Sequence, residues 1–513
     1  MTAAENQPGH GPTSDVELEI ADLAYGGDGV GRHDGRAIFV AGALPGELVR
    51  VRIARERGKY AHARLLEVLR PSPDRVAPRY PELGESGAIA WQHLAYPAQV
   101  TWKTRITRQL LLRVGHFASP TVHPMLAMPD ASDTWRYRTV AQFAVGAEGA
   151  IGFRRAASHD VIELTECPIV APALDALYQQ VRGWLRARWG ATAARYVERF
   201  SLRVPATPLD DGTPRLLPPT IPPLPRAGAA AREPAPPGAA VATDALGLLT
   251  LEAPPGGALE PDTAHAIAVE LLRMAPSLVG VVIVGLPGGR VVAGQDHTFD
   301  QVFDRVYRVS AGSFFQVNAA QTPVLVERVL AAAHCRPSDQ VLDGYSGVGL
   351  FSLFLAGRAA HVRAVESAAS AVADARASAV RNGIANVLVI EGVLERALTA
   401  LTQRHERVDV ALVDPPRAGC DPRALEAIRA LRPRTFVYVS CDPSTLARDL
   451  RLLCAEDYQL VDVQPVDLFP HTPHIECVAV CERTEMARGP GAPPSGQRRE
   501  RPPARPRQNG PAR

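Results

Sequence analysis

The stretch VLDGYSGVGLF, residues 341–351, indicates the fold of the C-terminal part of this 513-residue chain. An apolar run leads into a glycine-rich turn and then into a helix-forming segment. Similar short apolar runs follow, with helical stretches between most of them, and they read VRAVES, VLVIEG, VDVALVDPP, FVYVSCD and VAVCER. This alternation predicts an α/β fold in which a parallel, doubly wound sheet carries helices on both faces.

The glycine-rich turn is a candidate cofactor site. Gly347 and Gly349 allow the backbone to approach a ligand closely, and such a ligand sits at the carboxyl edge of the strands. Glu366 ends the next strand, where its carboxylate can accept hydrogen bonds from two ribose hydroxyls. The glycines follow G-x-x-G-x-G rather than G-x-G-x-x-G, and Asp343 stands at the strand end. This pattern favours S-adenosyl-L-methionine (SAM) over a dinucleotide, and a tight turn that binds nothing is the remaining alternative.

Further strand ends carry reactive side chains, in the segments VDPPR (413–417), VSCDP (439–443) and PHTPHIE (470–476). A thiolate that adds to carbon 6 of a uracil makes carbon 5 nucleophilic toward a sulfonium methyl group, and a base must then remove the carbon 5 proton. Cys441 and Glu476 supply this minimum set, while Arg417 or Asp414 can orient the ring or polarise the thiol. Taken singly, Cys441 is more simply an inert buried cysteine and Glu476 a surface acid. Their joint placement with the cofactor motif favours catalysis.

The N-terminal part reads as a small β-barrel. Short strand-like runs with glycine-rich turns occupy residues 15–72, a pattern typical of closed barrels. Tyr60 lies among a cluster of basic residues, which are Arg50, Arg52, Arg55, Arg57, Lys59 and Arg64. That mixture fits a barrel face that binds the RNA backbone and stacks a base. A solvated basic surface is the alternative.

Composition limits the other classes of function. The chain is 46% hydrophobic, but no apolar run reaches the roughly 18 residues that a membrane span needs. The N-terminus lacks the apolar core of a signal peptide, so we expect a cytoplasmic protein without a membrane partner. The net charge is only +2, so any nucleic-acid surface must be local. The seven dispersed cysteines form no CxxC pair, so we expect neither a disulfide framework nor a zinc site.

Several blocks together resemble the RNA uracil-C5 methyltransferase family of tRNA and 23S rRNA enzymes. They read SAGSFFQVNAAQT, VLDGYSGVGLFSLFLA, VDPPRAG, VYVSCDPSTLARDL and LFPHTPHIE. The N-terminal barrel resembles the TRAM domain of the rRNA members, and YRTVAQF with GFRRAASHDVIELTECPI resembles their central domain. The resemblance implies a Rossmann-like, SAM-dependent methyltransferase domain. It also implies that Cys441 is the nucleophile and Glu476 the proton acceptor.

The resemblance further implies cofactor-binding residues, which are Gln316, Tyr345, Glu366 and Asp414. The predicted units are a disordered tail (1–14), a TRAM-like, OB-like RNA-binding barrel (15–72), a central α+β domain (80–310) with a Pro-rich flexible insertion (204–240), the methyltransferase domain (311–485) and a disordered basic tail (486–513).

The chain departs from the family at two places. Many rRNA members hold an iron–sulfur cluster with four cysteines, and the matching positions here are Tyr80, Ser86, Ile89 and Cys167. Because one thiolate cannot hold a cubane cluster, we predict no iron–sulfur cluster and no metal site. A polar SAM contact usually follows the fourth strand, where this chain has Val393. That change leaves the backbone to recognise the adenine.

Alternative functions remain open at this level. A cytosine-C5 RNA methyltransferase also uses a cysteine and SAM, but PHTPHIE fits the uridine family. A non-catalytic RNA-binding or ribosome-assembly factor would explain the lost cluster cysteines, although Cys441, Glu476 and Asp414 are intact. The barrel favours 23S rRNA as the partner over tRNA, because tRNA members typically lack it. We expect the protein to act as a monomer.

Overall fold

The computed structural model describes residues 15–130, 134–156, 158–206 and 247–484. The predicted tails 1–14 and 486–513 lie outside these residues, as does the predicted insertion from residue 207 onward.

A closed five-stranded barrel begins the described chain. Its strands are β1 (Asp15–Leu23), β2 (Gly29–His33), β3 (Arg36–Val40), β4 (Leu48–Arg57) and β5 (Tyr60–Arg70). They close in the order β1-β2-β3-β5-β4, and only the β3–β5 pair is parallel. Along β1, Leu18 and Ile20 are buried while Glu17 and Glu19 are exposed. This period of two puts the apolar side chains inside the barrel, and the predicted barrel fold is confirmed.

The central part combines helices with a seven-stranded sheet. In chain order its elements are α1 (Tyr96–Arg113), β6 (Val140–Val145), β7 (Ile151–Arg154), β8 (Val161–Glu163), α2 (Pro172–Trp189), β9 (Arg199–Arg203), β10 (Gly247–Glu252), α3 (Pro261–Met274), β11 (Leu278–Leu286), β12 (Gly289–Gly294), β13 (His297–Val302) and β14 (Arg305–Ser310). The sheet order is β12-β11-β10-β9-β6-β7-β8, and β13 pairs with β14 as a separate hairpin. Side chains of α2 and α3 fill the same apolar core as the sheet.

A second seven-stranded sheet forms the C-terminal part. Its elements are α4 (Thr322–Ala333), β15 (Gln340–Gly344), α5 (Leu350–Leu355), β16 (His361–Glu366), α6 (Ala369–Arg381), β17 (Val387–Glu391), α7 (Leu394–Gln403), β18 (Val410–Val413), α8 (Pro422–Leu431), β19 (Thr435–Ser440), α9 (Pro443–Leu453), β20 (Tyr458–Val466) and β21 (Glu476–Arg483). The strand order is β17-β16-β15-β18-β19-β21-β20. The predicted doubly wound α/β class is confirmed.

The last two strands differ from the rest of this sheet. The five strands from β15 to β19 are parallel, but β21 is antiparallel to both β19 and β20. The connection between β20 and β21 spans only residues 467–475. It is too short for β21 to return parallel to β20, because a parallel return needs a crossover of a dozen or more residues. This connection contains most of the PHTPHIE segment, and it starts β21 at the carboxyl edge of the parallel strands.

Helix α1 lies early in the chain but packs on the C-terminal sheet. It contacts α9 and β20, and the segment after it runs beside β20, with bridges from Val122 to Val463 and from Leu126 to Val466. The predicted domain bounds at residues 72, 310 and 485 stay predictions. Among the helices of the described residues, none is long and apolar enough to cross a membrane.

Candidate active site and cofactor crevice

The carboxyl edge of the C-terminal sheet collects the predicted site residues. Glu366 ends β16, Asp414 follows β18 and Cys441 follows β19. These strands are parallel, so their ends lie along one edge. Ser440 pairs with Cys477 across the antiparallel β19–β21 ladder. One step further along, Cys441 and Glu476 therefore stand opposite each other at this edge.

The glycine-rich turn after β15 adopts backbone conformations that suit a ligand. Tyr345 has a φ of 60°, and Gly347 and Gly349 have φ values of 55° and 88°. A positive φ is uncommon at residues other than glycine, so its presence at Tyr345 indicates a functional constraint or strain. The Gly347 amide donates to the Glu366 carboxylate over 2.9 Å. Glu366 thus fixes the turn while ending the neighbouring strand.

A small cavity of about 180 Å³ lies beside this turn. It is lined by Tyr345, Val365, Glu366, Ser367, Gly392, Val393, Leu394 and Glu395. Two of the four predicted cofactor residues, Tyr345 and Glu366, therefore line it together, and Gln316 and Asp414 are not among its lining residues. Val393 stands at the cavity with 45% of its surface exposed, where the family usually places a polar side chain.

Two buried polar atoms in the turn region fit the polar end of SAM. Asp343 Oδ1 and Ser346 Oγ have no hydrogen-bond partner among the described residues. Buried polar groups are nearly always paired, so these atoms fit a ligand that brings its own donors and acceptors. Burial raises the pKa of Asp343 to about 7, and the Ser352 hydroxyl donates to its other oxygen. The residues present fit SAM.

The electrostatics of Cys441 and Glu476, the predicted catalytic pair, follow from burial among carboxyls. Burial raises the pKa of the Cys441 thiol to about 11, and the carboxyls of Glu476 and Asp414 add to the rise. Burial and Asp414 together raise the pKa of Glu476 well above its ordinary range. Burial and Asp343 raise the pKa of Asp414 to about 7, so this carboxyl connects the cofactor turn to the catalytic pair. The Arg417 guanidinium opposes these shifts by lowering the pKa of Cys441 and of Glu476.

Buried polar residues from α1 and its surroundings hold the loop before Glu476. Lys103 Nζ donates to Asp467 Oδ1 over 2.7 Å and to the Phe469 carbonyl over 2.9 Å. Gln99 Oε1 accepts from the His471 amide over 2.8 Å, and the His471 ring stacks on Trp135 at 4.0 Å. None of these contacts was predicted from the sequence. Their only sequence signal is a lysine and a glutamine on the apolar face of a helix.

The loop after β14 is held by one buried carboxylate on α6. Asp374 accepts hydrogen bonds from the Ser310 amide, the Ser310 hydroxyl and the Ser313 hydroxyl, at 2.8, 2.7 and 2.6 Å, and it pairs with Arg308. This loop leads to Phe314, which is 66% exposed, and to the buried Gln316. Asp374 was also missed, because an aspartate within the helical segment SAVADARASAV carries no sequence signal of its own.

Comparison with known proteins agrees with this geometry. The model of the tRNA (Uracil-5-)-methyltransferase family matches residues 289–484, and that of the TRAM domain matches residues 13–66. A protein of Halalkalibacterium halodurans described as an uncharacterised RNA methyltransferase is 35% identical over 475 residues, which cover 91% of this chain and 96% of the relative. A Gloeobacter violaceus protein of the same description is 35% identical over 477 residues, with the same two coverages.

The chain belongs to the RNA uracil-5-methyltransferase family. It is a SAM-dependent RNA methyltransferase with an N-terminal TRAM domain. The solved structure of the Pyrococcus abyssi tRNA (uracil-54, C5)-methyltransferase in complex with S-adenosyl-L-homocysteine shares the fold. Its TM-score is 0.65 at 22% sequence identity, and the match covers 91% of this chain and 100% of that one.

The positions that hold an iron–sulfur cluster in many rRNA methyltransferases do not fit one in this methyltransferase. Ser86 and Ile89 are buried, and the Ser86 hydroxyl donates to the Leu83 carbonyl over 2.7 Å. Ile89 and Cys167 belong to the same apolar core, and burial raises the pKa of the Cys167 thiol to about 12. An apolar core with one neutral thiol offers no set of thiolate ligands.

The TRAM domain of this methyltransferase uses part of its predicted basic cluster internally. Arg50 pairs with Glu17 and Glu67, and Arg52 pairs with Asp15. Acids on the neighbouring strands therefore stand beside two arginines of the cluster, and the RNA contact of the cluster stays a prediction. Sequence spacing within one strand does not show the residues of its neighbours.

An aromatic group lies on the same domain. The Tyr60 ring lies 5.8 Å from the rings of Phe39 and His62, and the Phe39 and His62 rings lie 5.4 Å apart. His62 is exposed, and the other two rings are partly exposed. Exposed rings on a barrel offer surfaces on which unpaired bases can stack.

Proposed function

We propose that this enzyme methylates carbon 5 of a uridine through a covalent adduct between Cys441 and carbon 6. The observation that carries the proposal is the placement of Cys441 opposite Glu476 across the β19–β21 ladder, with Asp414 acting on the pKa of both.

The chain's residues account for each proton in the reaction. Cys441 is a neutral thiol at pH 7, because its pKa is about 11. As its sulfur bonds to carbon 6, its proton passes to the carboxylate of Asp414, so that the Glu476 carboxylate stays free for the later proton, and the electron pair of the carbon 5–carbon 6 double bond becomes available at carbon 5. When bound, SAM supplies an electrophilic methyl group. Glu476 then accepts the carbon 5 proton, the double bond forms again, and the sulfur leaves carbon 6.

The raised pKa of Glu476 suits this role. A carboxylate with a higher pKa is a stronger base, and burial removes the water that would compete for the proton. Arg417 lowers the pKa of Cys441 and of Glu476, so it favours the anion that each must form. In the proposed cofactor set, Tyr345 and Glu366, which line the cavity, would hold the cofactor together with Gln316 and Asp414.

For the RNA substrate we propose 23S rRNA, with tRNA as the second candidate. The TRAM domain supports rRNA only by the architecture of the family. Two observations favour tRNA: the matching family model carries tRNA in its description, and the P. abyssi tRNA enzyme matches 91% of this chain. Mapping 5-methyluridine in both RNAs from a strain without this protein separates the two. Loss from 23S rRNA alone supports our choice, and loss from tRNA alone overturns it.

The covalent mechanism is tested with Glu476→Gln. Glutamine cannot accept the carbon 5 proton, so methylated RNA should stay bonded to Cys441 as an adduct that resists SDS and carries a labelled methyl group. The adduct should be absent from the Cys441→Ala, Glu476→Gln double variant. Cys454→Ala is the matched control, because Cys454 is also a partly exposed thiol but lies at the far end of α9. A folded Glu476→Gln enzyme that turns over normally would assign the base elsewhere.

A further inference from the structure

The TRAM barrel packs directly against helix α1. Leu23 and Leu44 of the barrel share a buried apolar cluster with side chains of this helix. Gln109 of α1 also donates to the Asp22 carboxylate over 3.1 Å. Because the same helix holds the loop at 467–475, the barrel has a fixed position beside that loop.

The loop between β1 and β2 of the barrel touches the loop at 467–475 itself. Gly27 has a φ of +103°, and a Cβ atom there would lie 2.6 Å from Trp91 Nε1 and 3.3 Å from the Cβ of Pro473. The Trp91 indole donates to the Gly27 carbonyl over 3.4 Å. Since Trp91 is buried, its neighbours hold the ring in place. Only glycine therefore fits this contact, and Pro473 lies three residues before Glu476.

The backbone of Trp91 is bonded to the same loop. Its amide donates to the His471 carbonyl over 2.8 Å. The Gln99 side chain adds a second link, because it donates to the Trp91 carbonyl over 3.2 Å and accepts from the His471 amide over 2.8 Å. His471 has a φ of 63°, a backbone conformation that must be held by its surroundings. A displacement of Trp91 would thus pass directly into the loop that leads to Glu476.

We propose that Trp91 is a positioning residue for Glu476, through which the docked barrel loop acts on removal of the carbon 5 proton. In that step the proton passes to the Glu476 carboxylate, the carbon 5–carbon 6 double bond forms again, and sulfur leaves carbon 6 with the electron pair of its bond. This inference rests on the proposed role of Glu476. Cys441 follows a different element, β19, so the earlier bond between sulfur and carbon 6 should depend less on Trp91.

The first test compares Gly27→Ala with Gly26→Ala. The two glycines have φ values of +103° and +102°, so both changes force alanine into the same strained region. Among the described residues, a Cβ at Gly26 meets nothing within 4 Å, whereas one at Gly27 meets Trp91. Gly27→Ala should lower kcat about ten- to a hundredfold, because a shift of about 1 Å can cost this much. Gly26→Ala should leave kcat within about twofold. Equal losses would assign the effect to strain in the loop and overturn the proposal.

The second test identifies the step that slows. With Gly27→Ala, the SDS-resistant adduct of methylated RNA should accumulate, because its resolution needs Glu476. The KM for RNA should not rise, since slow resolution keeps RNA on the enzyme. In the Glu476→Gln background, adding Gly27→Ala should change the rate of adduct formation by less than about twofold. Slower formation that accounts for the loss in kcat, or a raised KM with unchanged kcat, would overturn the proposal. No adduct with Glu476→Gln alone would instead overturn the covalent mechanism.

The variant Trp91→Phe tests the contact from its other side and decides the question if Gly27→Ala does not fold. Phenylalanine keeps the backbone amide that bonds to His471 but lacks the indole donor to Gly27. The kcat should fall about fivefold, as for one neutral hydrogen bond, with the same accumulation of adduct and unchanged SAM binding. A folded Trp91→Phe enzyme with normal kcat and no accumulated adduct would overturn the proposal.

Discussion

The buried pair of Lys103 and Asp467 allows a stringent prediction. Both side chains are fully buried, and Lys103 also donates to the Phe469 carbonyl in the loop at 467–475, which precedes Glu476. Lys103→Met keeps the length of the side chain but leaves Asp467 buried without a cation. Breaking a buried pair in this way costs roughly 3–5 kcal/mol of unfolding free energy. The loop that leads to Glu476 also loses an anchor, so kcat should fall in the fraction that stays folded.

The pH dependence of this loss identifies its cause. In Lys103→Met, the Asp467 carboxyl takes up a proton rather than remain as an isolated buried charge. The destabilisation should therefore be smaller at pH 5 than at pH 8, with a slope of at most about 1.4 kcal/mol per pH unit. Denaturant unfolding of wild type and variant at both pH values measures it. Removing both charges, in Lys103→Met with Asp467→Leu, should recover part of the loss.

The matched control is the exposed pair of Arg70 and Glu19, whose side chains are 61% and 73% exposed. Arg70→Met should cost less than about 1 kcal/mol and show no such pH dependence, because water screens this pair. If Lys103→Met costs no more than Arg70→Met, the pair does not stabilise the fold and the reasoning fails.

Three further predictions concern the cofactor turn, the loop after β14 and the barrel. Asp343 has its pKa raised from 3.8 to about 7, so the folded protein keeps a proton that the unfolded chain releases, and stability should fall as the pH rises between these values. Asp343→Asn should remove roughly 2–3 kcal/mol of the stability lost between pH 5 and pH 7, and an unchanged pH profile of Tm would contradict this. Asp374→Asn should lower kcat/KM about tenfold, since three hydrogen bonds that shape the loop lose a charged acceptor; normal steady-state kinetics would show that the loop does not depend on it. Tyr60→Ala should weaken RNA binding by about 1–3 kcal/mol in filter-binding assays with little sequence preference, whereas SAM binding should not change. Equal RNA affinity in that variant would exclude the aromatic group from the RNA path.

Much of this protein could be predicted from local sequence patterns. The alternation of Leu18 and Ile20 with acids predicts a barrel strand, because successive side chains of a strand point to opposite faces. The strand–glycine turn–helix pattern at 341–351 predicts the doubly wound sheet and its cofactor turn. The chemistry of a thiol and a carboxyl predicts Cys441 and Glu476 as the catalytic pair. Each of these features is encoded within one element or by the reactivity of one side chain.

Relations between distant elements were decided only by the tertiary structure. Cys441 stands opposite Glu476 because β21 runs antiparallel, and a short connection fixed that direction rather than any pattern in β21 itself. The sequence of β4 does not show that β1 places Asp15 beside Arg52. Lys103 donates to Asp467 across several hundred residues of chain, and the Trp91 indole donates to the Gly27 carbonyl of the barrel. Such contacts depend on sheet order and on how the barrel docks. Apolar periodicity specifies which face of an element is buried, but it does not specify which distant element will cover that face.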